Sequence, residues 1–209
     1  VQNMVNMYLT GITTITPAIR YLSIRALIAY SYASAKQPEN WKLFREYAGK
    51  VEAAVALGNI IVNSGSRGLL GSDKASEIIS THPESVKLED LVQQLGINIY
   101  AGASDQLGIS FTNPESSSGI PGIVIERGVP LAKSLQRAFE ETELGIKFLS
   151  GEAPENTTIE ELTEFGIRLR LDHFEPDELE MLINILLPEQ PEAASRLRVM
   201  TFALLLQLA

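Results

Sequence analysis

The segment from residue 17 to about residue 35, "PAIRYLSIRALIAYSYASA", is apolar on almost every side of a helix. One apolar stripe at helical spacing comprises Ile19, Leu22, Ala26, Ala29 and Ala33, and a second comprises Tyr21, Ile24, Ile28 and Tyr32. A helix with two apolar stripes needs partners on two sides. Thr16 and Pro17 form a good N-cap and first-turn pair. The segment therefore predicts the central helix of a helical bundle.

A membrane span is the rival interpretation of this segment. Arg20, Arg25 and scattered Ser and Tyr residues leave no run of about 20 apolar positions, so no membrane insertion is expected. The composition, 45% apolar and 21% charged, is typical of a globular protein. The chain has no cysteine and no signal-like start, which favours a reducing cytoplasm.

The negative charge is concentrated in the second half of the chain. Residues 1–105 carry nine basic and nine acidic side chains, whereas residues 106–209 carry eight and seventeen. This imbalance argues against broad affinity for nucleic-acid phosphates, which requires clustered Lys and Arg. The chain begins at Val1 and stops within the apolar run "RVMTFALLLQLA", so we expect it to continue into a longer polypeptide.

Three regions follow from the local patterns. Residues 1–85 form an N-terminal helical region, in which an amphipathic helix from Trp41 to Val62 is expected to pair antiparallel with the first helix. The stretch "NSGSRGLLGSD" is a loop and "KASEIIS" a short helix.

Residues 86–150 have the element order of a winged-helix-like unit. Two short helices, "LEDLVQQLGI" and "YAGASDQL", precede the strands "GISF" and "IPGIVIER", which flank the polar tip "TNPESSSG". A helix over about 130–149 completes the unit. The two strands predict a small β-hairpin.

Residues 151–209 form an acidic helical region with three helices. Thr158 and Glu161 make a capping box, Glu175 and Pro176 open the next helix, and Asn156-Thr157-Thr158 is expected to be a polar loop. The predicted fold class is mainly α, a helical bundle with an inserted winged-helix-like unit carrying a small β-hairpin.

The sequence shows no assembled metal or cofactor motif. The glycines at 65, 68 and 71 lack the Lys-Ser/Thr ending of a phosphate-binding loop, which favours a simple helix connection. The acids of "RLRLDHFEPDE" mostly begin a helix, where they meet the positive end of its dipole. His82, beside a proline, is expected to be a solvated loop residue. We therefore predict no metal and no cofactor.

One enzymatic alternative comes from Arg168 and His173, which are separated by four residues. This spacing is similar to the arginine–histidine signature of the helical HEPN ribonucleases. The resemblance implies metal-independent RNA cleavage, with the arginine stabilising the phosphate and the histidine taking part in cleavage. Leu169 stands where that family usually has a polar residue.

A second alternative is DNA recognition by the winged unit. Arg127, Lys133 and Arg137 could contact phosphate from the wing side, but "LEDLVQQLGINIYAGASDQ" offers glutamines and an asparagine without a basic side chain. A winged unit without a basic face more commonly docks proteins. Protein docking is the preferred interpretation.

The order of the motifs also resembles a loose group of uncharacterised bacterial proteins found beside phage-defence genes. "TGITTITPAIRYLSIRALIAY" resembles their "PGxTNxTxRxRYYSFY" opening, "GIPGIVIERGVPLAKSLQRAFE" is similar to their winged segment, and "ELEMLINILLP" with "ASRLRVMTFALLLQLA" resembles their tail. Pro17-Ala18 and Leu22-Ser23-Ile24 depart from that pattern. The resemblance implies a defence context and supplies no catalytic residues.

The sequence therefore predicts a non-catalytic interaction or scaffold component of a bacterial system, in anti-phage defence. Its partner is expected to be another protein or further domains of the same chain. The ribonuclease and the DNA-binding protein remain the two alternatives.

Overall fold

The computed structural model describes residues 18–63, 68–82, 84–91, 98–112, 118–191 and 193–208, and within them the chain is mainly helical. The α-helices are α1 (Arg20–Ser34), α2 (Trp41–Val62), α3 (Ser72–Thr81), α4 (Ala101–Gln106), α5 (Gly128–Glu140), α6 (Glu143–Leu149), α7 (Ile159–Arg168), α8 (Pro176–Leu186) and α9 (Ala193–Leu208), with a 3-10 helix at Leu88–Leu91. The strands are β1 (Ser85–Lys87), β2 (Ser110–Phe111), β3 (Gly122–Ile123) and β4 (Asn156–Thr158). The predicted mainly helical class is confirmed.

Helix α1 lies at the centre of the bundle. Every residue from Arg20 to Ala29 is buried, so no face of this stretch is left to solvent. Its principal neighbour is α5, and α2, α6 and β3 also contact it. The all-round burial confirms the central helix predicted from the two apolar stripes. The predicted start at Thr16 and Pro17 lies outside the described residues.

Helix α2 has the predicted bounds, and Asn40 caps it by accepting hydrogen bonds from the N–H groups of Lys42 and Leu43. Its principal neighbour is α7, which replaces the expected pairing with α1. Helices α2 and α7 meet at Gly58 and Gly166. A Cβ on Gly166 would lie 2.3 Å from the Gly58 carbonyl oxygen, so this approach is possible only without side chains.

Within the described residues, two small antiparallel sheets lie beside the helices. Strands β2 and β3 pair with Ser110 opposite Ile123, which confirms the predicted hairpin; its tip at residues 113–117 lies outside the described residues. Strands β1 and β4 pair with Val86 opposite Thr157. The prediction of a polar loop at residues 156–158 is therefore wrong. These residues form a strand because β1, in which Val86 lies 71 positions before Thr157, supplies the hydrogen bonds.

The helix predicted over 130–149 is two helices. Helix α5 ends at Glu140, and α6 begins at Glu143 after Thr142, whose hydroxyl accepts a hydrogen bond from Gly145 N (3.1 Å). Thr142 is an N-cap inside an otherwise continuous helical pattern, and it stops α5 and starts α6.

The last helices begin where the sequence predicts. Thr158 and Glu161 form the full capping box at the start of α7, and Pro176 occupies the first turn of α8. Helix α9 contacts α8. Within the described part of the chain, no helix is both long and apolar enough to span a membrane.

The core joins all three predicted regions. Val55 from the first, Leu135 and Phe139 from the second and Phe165 from the third belong to one cluster of buried side chains. Phe139 and Phe165 contact edge to face with ring centroids 5.2 Å apart. The three regions therefore pack around a shared core, and the boundaries at 85 and 150 stay a prediction.

Candidate functional site

Arg168 and His173 lie at the C-terminal end of α7 and in the turn that follows it. The Arg168 guanidinium forms an ion pair with Glu141 (Nη2–Oε2 2.6 Å), and both side chains are about half exposed. His173 is exposed, and its backbone N–H donates to the Arg170 carbonyl oxygen (3.3 Å). The intervening Leu169 is fully buried. The arginine therefore has a carboxylate partner, which competes with phosphate for the same donors.

The three cations proposed to contact DNA lie at the start and along the exposed face of α5. Arg127 donates to the Leu107 carbonyl oxygen (3.1 Å), and Lys133 and Arg137 are exposed one helical turn apart. Arg137 forms an ion pair with Asp177 of α8 (Nη1–Oδ2 3.1 Å). The structure thus places Lys133 and Arg137 on one face, and Asp177 offsets part of that face's positive charge.

The segment "RLRLDHFEPDE" contains a buried ion pair that sequence reasoning missed. Glu178 points into the bundle from the first turn of α8 and meets Arg20 of α1, with Nη2–Oε2 3.0 Å and Nε–Oε2 3.1 Å. Both side chains are fully buried. Arg20 also donates to the Arg170 carbonyl and lies over the Phe174 ring, 5.6 Å from its centroid.

Glu178 does more than favour the helix dipole, the role expected for the acids of this segment. Burial raises the pKa of the Glu178 carboxyl, and the charge and hydrogen bonds of Arg20 oppose that rise. The sequence signal for this pair was the presence of arginines within the apolar helix α1, because a buried guanidinium needs hydrogen-bond acceptors or an opposite charge.

The turn between α7 and α8 is held by a second buried polar residue, Asn59 of α2. Its side-chain NH2 donates to the carbonyl oxygens of Val55 and Leu169, both at 2.9 Å. Its side-chain oxygen accepts from Leu171 N at 3.0 Å. Asn59 and the Arg20–Glu178 pair therefore fix this turn and the start of α8 against the bundle.

Helix α8 carries apolar side chains on both faces. Leu182 and Ile185 are buried, whereas Leu179 and Ile183, one turn apart on the outward side of the helix, are 43% and 47% exposed. In α9, the buried guanidinium of Arg198 donates to the carbonyls of Leu186 and Ile185 at the end of α8. The outer face of α8 thus presents apolar surface where a bundle helix normally presents polar residues to solvent.

Two open clefts lie at the small sheets. A cleft of about 510 Å³ between the α1–α2 connection and the hairpin includes Tyr32, Gln37, Phe111 and Ile120. A second cleft of about 300 Å³ follows β1 and is lined by His82, Ser85, Val86, Lys87, Asp90 and Asn156. His82 is exposed, as predicted.

The remaining sequence motifs have simple structural roles or fall outside the described residues. Gly68 and Gly71 adopt left-handed backbone conformations (φ 79° and 74°) in the connection before α3, while Gly65 is not among the described residues. In the part of the chain that the structure describes, no three His, Asp or Glu side chains are placed to hold a metal ion.

Comparison with known proteins leaves these features to be interpreted from the chain itself. No family model, no curated protein and no solved structure matches it.

Proposed function

We propose that this protein is a non-catalytic interaction component of a bacterial assembly, working in the anti-phage defence setting that the sequence resemblance implies. The observation that supports this proposal is the exposed apolar face of α8, formed by Leu179 and Ile183. These side chains lie outside the core contacts already made by Leu182 and Ile185 on the same helix. They are available to a partner.

Contacts at both ends of α8 hold the helix rigidly against the bundle. The Arg20–Glu178 pair holds the first turn of α8, and Arg198 caps its last carbonyls. A rigid surface loses little conformational freedom on binding, so more of the contact free energy appears as affinity. Fully burying a Leu or Ile side chain contributes about 1.5–3 kcal/mol, so covering two half-exposed ones contributes roughly 2 kcal/mol.

The finer assignment of residues 86–150 as a winged-helix-like unit belongs to the same proposal. The β2–β3 pairing and the helix α5 behind it support this assignment. Residues 92–97, which hold most of the predicted helix "LEDLVQQLGI", lie outside the described residues. With Arg137 paired to Asp177, this unit is better suited to contact a protein than a polyanion.

A photocrosslinking experiment in the native host tests the proposal. A photoreactive phenylalanine analogue at position 179 is expected to give a discrete crosslinked species, which the additional change Ile183→Glu in the same chain removes. Ile146→Glu is the matched control, because Ile146 is 55% exposed on a different helix. A species unaffected by Ile183→Glu, or no crosslink from position 179, overturns the proposal.

The two alternatives remain proposals with their own tests. If Arg168 and His173 cleave RNA, the purified wild-type protein cleaves RNA and the His173→Ala variant does not. A wild-type protein that does not cleave RNA rules out that alternative. DNA binding through Arg127, Lys133 and Arg137 requires an affinity that falls steeply with added salt. An affinity for DNA that does not change with salt rules out the DNA-binding alternative.

A further inference from the structure

Among the described residues, the second small sheet has one strand, β1, with an edge that no other strand pairs. Within the described residues, β1 pairs with β4 alone. Leu88 N donates to the Glu155 carbonyl (3.0 Å), and Ile159 N donates to the Glu84 carbonyl (3.1 Å). In an antiparallel ladder, alternate residues bond to the partner and those between them point away. The N–H and C=O groups of Ser85 and Lys87 therefore point away from β4.

One face of this sheet is buried and the other is exposed. Val86 and Thr157 are buried at 3% and 2% exposure, so one face packs on the bundle. Ser85, Lys87 and Asn156 are exposed on the other face and line the cleft of about 300 Å³ that follows β1. An added strand would lie along the free edge of β1, with its outward side chains above this cleft.

The electrostatic surroundings specify the charge of that strand. Segments 84–91 and 152–160 contain six exposed carboxylates and one lysine, Lys87. The carboxylates belong to Glu84, Glu89, Asp90, Glu152, Glu155 and Glu160. An acidic strand would be repelled here, whereas a basic strand is attracted and its encounter rate rises.

We infer that the free edge of β1 binds an extended, basic segment of a partner protein as an added β-strand. Main-chain hydrogen bonds to Ser85 and Lys87 supply the pairing, and the surrounding carboxylates select for Lys or Arg side chains. This surface is separate from the outer face of α8, so the two sites are independent.

A labelled peptide of alternating lysine and valine tests the inference by fluorescence anisotropy with the full chain. Binding is expected to weaken roughly tenfold for Ser85→Pro, because proline removes an outward N–H at little cost to the ladder with β4. Ser85→Thr, which keeps the N–H, is the control. Circular dichroism and the melting temperature establish that the proline variant is folded.

Two further probes keep the test decisive even if Ser85→Pro unfolds. The same peptide, N-methylated at the residues whose N–H groups would face β1, keeps its charge but cannot pair, and it is expected to bind roughly tenfold more weakly. A glutamate–valine peptide is expected not to bind. Equal binding of the methylated peptide, equal binding of the acidic peptide, or no binding of the lysine peptide at millimolar concentration overturns the inference.

Charge reversal distinguishes the edge of β1 from the general acidity of the chain. Glu84→Lys is expected to weaken binding of the lysine–valine peptide several-fold at low salt, because it replaces an attractive charge directly before β1 with a repulsive one. Glu180→Lys on α8 changes the net charge by the same amount and is the matched control. An equal effect of both changes would mean that the peptide binds through the net charge alone, which contradicts the inference.

Discussion

Arg20 and Glu178, 158 positions apart in the chain, form a fully buried ion pair that joins the central helix α1 to the first turn of α8. Each charge is compensated by the other, and the Arg170 carbonyl takes a further guanidinium hydrogen bond. The pair joins the first turn of α8 to the central helix, and the buried Leu182 and Ile185 hold the rest of α8 against the core. The proposed docking surface lies on this same helix.

Breaking this pair is expected to be far more damaging than breaking a surface pair. Glu178→Gln leaves the Arg20 charge buried without its counter-ion and should lower the free energy of unfolding by about 3–5 kcal/mol. Asp177→Asn, which breaks the exposed pair with Arg137, should cost less than about 1 kcal/mol. Urea denaturation of both variants measures the difference.

The pair also predicts a rescue. Arg20→Met combined with Glu178→Leu removes both charges and should recover most of the loss, because neither variant side chain needs a polar partner. A double variant as unstable as Glu178→Gln would show that packing, not charge, is what the site requires.

The crossing of α2 and α7 is expected to tolerate no side chain at Gly58 or Gly166. Gly166→Ala would place its Cβ 2.3 Å from the Gly58 carbonyl oxygen, so the helices must separate, at a cost of about 2–3 kcal/mol or more. Gly102→Ala in α4 is the control, since no atom lies within 4 Å of its Cβ and alanine favours the helix by about 0.5–1 kcal/mol. Thermal unfolding should therefore shift in opposite directions for the two variants.

Asn59 is expected to control local opening of the turn before α8. Asn59→Ala leaves the Leu171 N–H and the Leu169 carbonyl without their partner, which costs about 2 kcal/mol or more. Hydrogen exchange should become faster at the Leu171 amide than at amides in the centre of α2. Asn63→Ala, which loses one exposed hydrogen bond to Asp172, should change stability by less than about 0.5 kcal/mol and serves as the comparison.

The capping box of α7 predicts a specific dependence on pH. Burial alone would raise the pKa of Glu161, but hydrogen bonds from Thr158 N, Lys147 and Thr157 bring it below the usual 4.5. The carboxylate therefore stabilises the fold above that value, and this contribution is lost as the pH falls through the lowered pKa.

Glu161→Gln is expected to cost about 1 kcal/mol at neutral pH and to flatten the acid side of the stability profile. Unfolding free energies measured between neutral pH and pH values below the usual Glu range test this. Glu164→Gln, exposed on the same helix, removes the same charge and is the matched control. A wild-type acid slope in Glu161→Gln would contradict the assigned role.

Local patterns were sufficient for most helices. The apolar spacing of α2, the proline at the start of α8 and the Thr158–Glu161 box are interactions within one or two turns, so they can be predicted without knowing the fold. The β2–β3 hairpin was predictable for the same reason, because its strands are neighbours in the chain. The break at Thr142 was missed because apolar residues continue at helical spacing through it.

Long-range contacts decided what local patterns could not. The β1–β4 pairing, the α2–α7 crossing and the Asn59 hydrogen bonds join segments about 70 to 110 residues apart. A three-residue strand and a single glycine carry almost no signal of their own. Both candidate surfaces belong to this class, since neither the outer face of α8 nor the edge of β1 exists until distant residues pack.

The spacing of apolar and capping residues thus set which stretches become helices, because that choice depends on hydrogen bonds and side chains a few positions apart. The sequence also predicted which helix is central, since α1 has no polar face. Which polar residues are buried, which apolar ones stay exposed and which strand edge remains open were decided only when the helices assembled. Burial is a property of the neighbours a residue acquires, and for Arg20, Glu178 and Leu179 those neighbours come from the tertiary fold.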